Sequence, residues 1–185
     1  MAPDPQKIIQ KLFELYGGRE EAFREFEADL ALINKRWNQD IVAIGRILRA
    51  HLFVEHFLTE YLVARNPELG SLDKTRLSFV QKLALIGSGT AGVEYLLPGI
   101  RHLNVLRNRL VHTLQADVRD DDVHVFLAID LFRAMREGGS APNTPSSDPM
   151  DVLEDFAKHA GLALHSSATR DSELWAKAIR LAEAE

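Results

Sequence analysis

Between Asp40 and the stop at Asn66-Pro67 lies IVAIGRILRAHLFVEHFLTEYLVA, a segment whose apolar residues recur at helical spacing. One stripe runs through Ile41, Ile44, Leu48, Leu52, Leu58 and Leu62, and a second through Ile47, Val54, Phe57 and Tyr61. A helix apolar over so much of its circumference must be central to the fold or lie in an interface. The segment after Asp122 alternates briefly at Val123, Val125 and Leu127, as a strand would, but no partner strand is visible elsewhere. The expectation is an all-α chain: an antiparallel bundle of four to five helices with additional terminal helices.

The remaining helices are marked by caps and breakers. Asp4-Pro5 and Gly17-Gly18 bracket a helix over residues 5–16, with Ile8, Ile9, Leu12, Phe13 and Leu15 on one side. A second begins near Glu20, with Phe23, Phe26, Leu30 and Ile33 expected as its buried stripe. Ser71 caps a helix reaching Ile86, and Pro98-Gly99 precedes one over residues 100–115. Another covers residues 122–136, and GGSAPNTPSSDP (138–149) is a linker by composition. Two short helices come after it, 149–160 stopped by Gly161 and 172–184, whose modest apolar faces imply docking rather than independent folding. The domain reading is residues 1–39 as N-terminal helices packing on the bundle, 40–137 as the bundle, 138–149 as linker and 150–185 as a C-terminal helical extension.

Two motif matches lack their context. Gly87 to Gly92 spells GxGxxG, but a helix precedes it and Pro98 interrupts the segment after it, so it reads as a loop rather than a dinucleotide site. Ser71 and Lys74 fit SxxK without the partner motifs of serine acyl enzymes, so capping is the simpler role.

Composition narrows the chemistry. With 46% hydrophobic and 26% charged residues the chain should fold, and a net charge of −5 argues against non-specific coating of nucleic acid. The absence of cysteine removes thiolate, disulfide and iron–sulfur chemistry. No secretory leader or membrane-length apolar run is visible, so a cytoplasmic protein without membrane contact is expected.

Against this acidic background, residues 95–116 contain no acid, and within them lies RNRLVH, Arg107 to His112. On a helical wheel Leu103, Leu106, Leu110 and Leu114 form a seam that packs into the bundle, with Arg107 at its edge. Asn104, Asn108 and His112 succeed one another at i, i+4 on another flank, beside Val105 and Val111. Valine beside uncommitted asparagine suggests a protein surface there, most simply a second copy across a two-fold axis. Imidazole transfers protons near neutral pH, guanidinium binds phosphate and developing negative charge, and asparagine orients either. That kit suits attack of an RNA 2′-hydroxyl on its adjacent phosphate, and equally the simple binding of an anion, and it calls for neither metal nor cofactor. His51 and Glu55, four apart on the long helix, could ligate a metal, but pairing with neighbours is the more economical role. An acid such as Glu55 or Asp122 could instead pair with Arg107, leaving His112 to cap or pack.

Arg107-Asn108, three residues and His112 match the RNxxxH form of the Rx4–6H motif, and with the helical setting of residues 40–136 the chain resembles the HEPN superfamily. That resemblance implies a helical bundle that dimerises to bring two motif helices together, and a metal-independent endoribonuclease of toxin or defence type acting on single-stranded RNA. His112 would then be the acid/base, Arg107 the phosphate-binding group and Asn108 the positioning residue, with Arg109, Asn104, Arg101, Glu55 and His51 supporting the site or the RNA. Residues 46–62 also resemble the mannitol repressor-like branch, which implies a non-catalytic dimeric binding or regulatory module. The implied partners are a second copy, RNA, and a cognate antitoxin or regulatory protein.

Overall fold

The computed structural model describes residues 4–67, 77–86, 92–113 and 117–169, together with Leu174, Lys177 and Leu181. Among them are eight α-helices and no strand, so the chain is all-α. They are α1 (Pro5–Leu15), α2 (Arg19–Trp37), α3 (Ile41–Arg65), α4 (Phe79–Ala84), α5 (Leu97–Thr113), α6 (Asp120–Leu127), α7 (Asp130–Ser140) and α8 (Pro149–Ala168), with a 3-10 turn at Glu94–Leu96 before α5. The chain divides into two compact units, Met1–Asp40 and Ile41–Glu185.

The first unit is a helical hairpin. Asp4 caps α1 by accepting from the Gln6 N–H at 3.0 Å, and the turn into α2 runs through Gly17 and Gly18 at φ +82° and +143°. Only glycine holds such angles without a Cβ clash. Phe13 packs against Phe23 and Tyr16 against Phe26, with ring centroids 5.8 and 5.3 Å apart. The expected buried stripe of α2 is not buried: Phe23, Phe26, Leu30 and Ile33 are all exposed, and only Ala22 of this helix is enclosed. Spacing identifies the apolar face correctly; what covers a face is outside the reach of periodicity.

The second unit is built on α3 and α8. Along α3 the buried positions are Ile47, Ala50, His51, Val54, Leu58, Tyr61 and Leu62, whereas Ile41 and Leu52 of the expected first stripe stand in solvent. α8, which packs along α3, buries Val152, Leu153, Phe156, Ala157, Ala160 and Leu164 in the same core. Arg46 meets Asp151 and Glu154, Phe53 lies over Gly161, and the Phe57 ring is 5.7 Å from His165, so contacts advance together and the two helices run parallel. Parallel neighbours need a long crossover, which residues 66–148 supply.

Gly161 therefore does not stop a helix. A Cβ there would sit 2.4 Å from Phe53 Cε1, so glycine permits close helix approach and α8 continues to Ala168. The helix expected over 172–184 falls largely outside the described residues. Pro98 likewise starts rather than interrupts: α5 begins at Leu97, and proline in the first turn sacrifices no intrahelical bond. The segment expected as one helix over 122–136 is two, α6 and α7, broken at Ile129 in extended conformation. The connection before α8 is tied down by Arg136 donating to the Ser146 carbonyl and Ser146 to Asp151. Ser71, Lys74 and most of the GxGxxG string lie outside the described residues; α4 is capped instead by a Ser78–Gln81 capping box.

α5, α6 and α7 close the core. Phe126 stacks on Phe156 at 4.8 Å and Phe132 meets it edge-on at 5.5 Å, while Gly99 lies against the same ring. Fully burying side chains of this size contributes roughly 2–3 kcal/mol each. Outside the core, Arg46 bridges α3 to α8 through Glu154 at 3.0 Å and Asp151 at 2.6 Å, with Arg49 also on Glu154.

Candidate functional site

α5 carries the RNxxxH segment, and its leucine seam is where expected: Leu103, Leu106 and Leu110 are buried, while Leu114 lies outside the described residues. The seam locks the helix in rotation, so every other α5 side chain has a determined direction. Two polar edges and an outer ridge result.

The edge toward α3 holds Asn104 and Arg107. Asn104 Oδ1 lies 3.3 Å from His51 Nε2, and His51 is buried with its ring 4.3 Å from that of Phe79. Burial pushes the His51 pKa below 6.5, with Arg107 and Lys82 charges adding to the shift against the opposing pull of Asn104 and Glu55. The neutral imidazole is thus favoured, and its Nε2–H tautomer can donate to the Asn104 carbonyl. Glu55 sits 3.8 Å from His51 Nδ1 but is held by Lys82 Nζ at 2.7 Å. The His51–Glu55 pair therefore serves a network across α3, α4 and α5, its carboxylate already matched by an ammonium. Among the described residues no three metal-ligating groups come together.

The opposite edge, toward α6, holds His102 and Arg109, and both are committed to Asp122. Arg109 donates two bonds to its oxygens at 2.9 and 3.0 Å, His102 Nε2 lies at 2.9 Å, and the Arg119 backbone N–H donates at 2.8 Å. Burial alone would raise the Asp122 pKa; the Arg109, Arg119 and His102 bonds outweigh it and hold the carboxyl below 3.8. Arg109, expected to support RNA binding, is engaged in holding α5 to α6.

Between these edges stands the ridge, with Arg101, Val105, Val111 and His112 exposed and Asn108 half-buried; Asn104 and Arg107, also half-buried, border it on the α3 side. Arg107 Nη1 donates to Asn108 Oδ1 at 3.1 Å, and among the described residues it makes no ion pair. Glu55 and Asp122, the acids expected from the sequence as alternative partners for it, are occupied by Lys82 and by Arg109 with His102. His112 makes no hydrogen bond or ion pair among the described residues. Arg107 and His112 are five residues apart, about 140° around the helix and roughly 7.5 Å along it, so their side chains diverge.

The structure thus brings His51, Glu55, Asn104, Arg107 and Asn108 into one neighbourhood, leaves His112 and Arg101 on its outer rim and turns Arg109 away. Sequence reasoning misses Lys82 and Phe79, which complete the His51–Glu55 network. No spacing rule links Lys82 to Glu55, 27 positions earlier, or Phe79 to His51, 28 positions earlier. A separate concavity of about 270 Å3 lies between α7 and α8, but its Arg136 and Asp155 are paired at 2.9 Å and its His159 lies 3.0 Å from Tyr95 Oη. No family model matches the chain, and no curated protein or solved structure matches it.

Proposed function

We propose that the chain is a homodimeric, metal-independent endoribonuclease of HEPN type, cutting single-stranded RNA at a site shared between two motif helices. The observation that carries this reading is Arg107, a half-buried guanidinium that makes no ion pair among the described residues, close to an exposed histidine on the same helix. A cation left without a carboxylate partner is a site for a ligand anion. The divergence of Arg107 and His112 supports the composite arrangement: two antiparallel ridges across a two-fold axis would set one copy's arginine toward the other's histidine. In the reaction, His112 removes the 2′-hydroxyl proton as the oxygen attacks the adjacent phosphorus. It then returns a proton to the departing 5′-oxygen, leaving a 2′,3′-cyclic phosphate and a 5′-hydroxyl. Arg107 offsets the charge on the phosphoryl oxygens, and Asn108 holds the guanidinium.

The test is cleavage of single-stranded RNA by the purified protein in EDTA, with end-group analysis. His112→Ala should reduce turnover at least ~100-fold, and Arg107→Ala comparably, without altering the fold. Undiminished cleavage by His112→Ala would exclude it as the acid/base.

Val105 and Val111, each about half exposed beside Asn108, favour a second reading, in which this ridge is a protein-binding surface of a non-catalytic dimeric regulatory module. That reading is supported if RNA is not turned over and Val105→Glu releases a co-purifying protein that His112→Ala retains.

A further inference from the structure

The α1–α2 hairpin carries an apolar surface that its own two helices do not cover. Ile8, Ile9, Leu12, Leu15 and Tyr16 on α1 and its cap, with Phe23, Phe26, Leu30, Ile33 and Trp37 on α2, are between 37% and 82% exposed. Side chains of this size expose on the order of 100 Å2 each at such values, so one hairpin presents ~1,000 Å2 of apolar surface, beyond the few hundred typical of a monomer. Two such faces, if covered completely, would remove up to ~2,000 Å2 from water, within the size of stable, specific interfaces.

The charges select the occupant. The first half of α2 holds Glu20, Glu21, Glu25 and Glu27 against Arg19 and Arg24, and Arg24 is spent on Glu21 at 3.0 Å. The last turn holds Lys35 and Arg36. A helix acidic at its start and basic at its end is complementary to itself when reversed, which is the relation a two-fold axis imposes. Phe23, Phe26, Leu30, Ile33 and Trp37 form one stripe centred on Leu30, so the axis would cross there.

We infer that the α1–α2 hairpin is a self-association module that binds the hairpin of a second copy, α2 antiparallel to α2 about Leu30, forming a four-helix interface. This contact is separate from the α5 ridge and does not rest on the nuclease reading.

The absence of native cysteine makes a direct test possible. In the full-length chain, Leu30→Cys should oxidise readily to a covalent dimer. Trp37→Cys alone should not, yet should cross-link when mixed with Phe23→Cys. Sedimentation equilibrium should show Leu30→Glu/Ile33→Glu weakening self-association at least ~100-fold, because two charges enter the interface from each copy. Both positions are more than half exposed, so circular dichroism and melting of the variant should match the parent. A monomeric parent chain overturns the inference, whatever else covers the face. So does a dimer indifferent to Leu30→Glu/Ile33→Glu in which Leu30→Cys fails to cross-link; that result would leave an α5-ridge dimer standing.

Discussion

Replacing Asp122 with alanine should loosen α5 from α6 and thereby release the ridge that carries the proposed chemistry. Its side chain is only 3% exposed and takes two bonds from Arg109, one from His102 and one from the Arg119 backbone N–H. Truncation removes all four and leaves Arg109, itself 22% exposed, without its principal counter-charge. Removing one member of a buried pair costs about 3–5 kcal/mol, and the solvent that still reaches Arg109 places this case near the lower limit, about 3 kcal/mol. For a unit of this size each kcal/mol moves the melting temperature by roughly 2–4 °C, so a fall of about 6–12 °C is expected in calorimetry. Asp122→Asn, which keeps one acceptor, should lose about half as much. A double-mutant cycle with Arg109→Ala should give a coupling of about 1.5–3 kcal/mol. Asp122→Ala within about 1 kcal/mol of the parent, or a coupling near zero, would refute the view that this carboxylate clamps the two helices.

Gly99 and Gly161 offer a paired test of what surrounds each added methyl. A Cβ at Gly99 meets Phe156 Cζ at 2.4 Å and Ile129 Cδ1 at 2.9 Å, both on buried side chains, so Gly99→Ala should cost about 1–3 kcal/mol in urea unfolding. At Gly161 the nearest ring is Phe53, 40% exposed and able to swing outward, so Gly161→Ala should cost less than half of that. Burial depresses the pKa of both His51 and His159 below 6.5. The unfolded chain therefore binds protons first, and stability present above pH 6.5 should decline as pH falls from 6.5 through the folded values. NMR should show both imidazoles less than half protonated at pH 6.5, and a majority of the protonated form of either there would contradict the assignment. Phe156→Ala, which removes the ring under Phe126, Phe132 and Gly99, should cost about 3–5 kcal/mol; a smaller loss would mean that the ring is not the centre of the core.

Much of the helical pattern is legible in the sequence because caps and periodicity act locally. Asp4-Pro5 starts α1 where expected, and spacing alone identifies the leucine seam of α5. Glycine and proline mislead wherever their role is tertiary. Gly161 has the local signature of a stop and is a close-packing position, and Pro98 has that of an interruption and lies in the first turn of α5. The candidate site divides in the same way. The wheel places Asn104, Asn108 and His112 on one flank, but it cannot tell that Arg109 is occupied by Asp122 while Arg107 is paired with no acid among the described residues. That distinction depends on which acid a neighbouring helix brings within hydrogen-bond reach.

By itself, then, the order of residues determined that the chain is helical, where most helices begin and which face of each is apolar, because backbone hydrogen bonding and side-chain periodicity are settled within a few turns. Only the tertiary structure decided which apolar faces find a partner. It set α8 parallel to α3 in the core, and it left the stripe of α2 exposed on the hairpin that α1 and α2 form. Burial is a property of pairs of surfaces, and one helix's pattern contains half of the information.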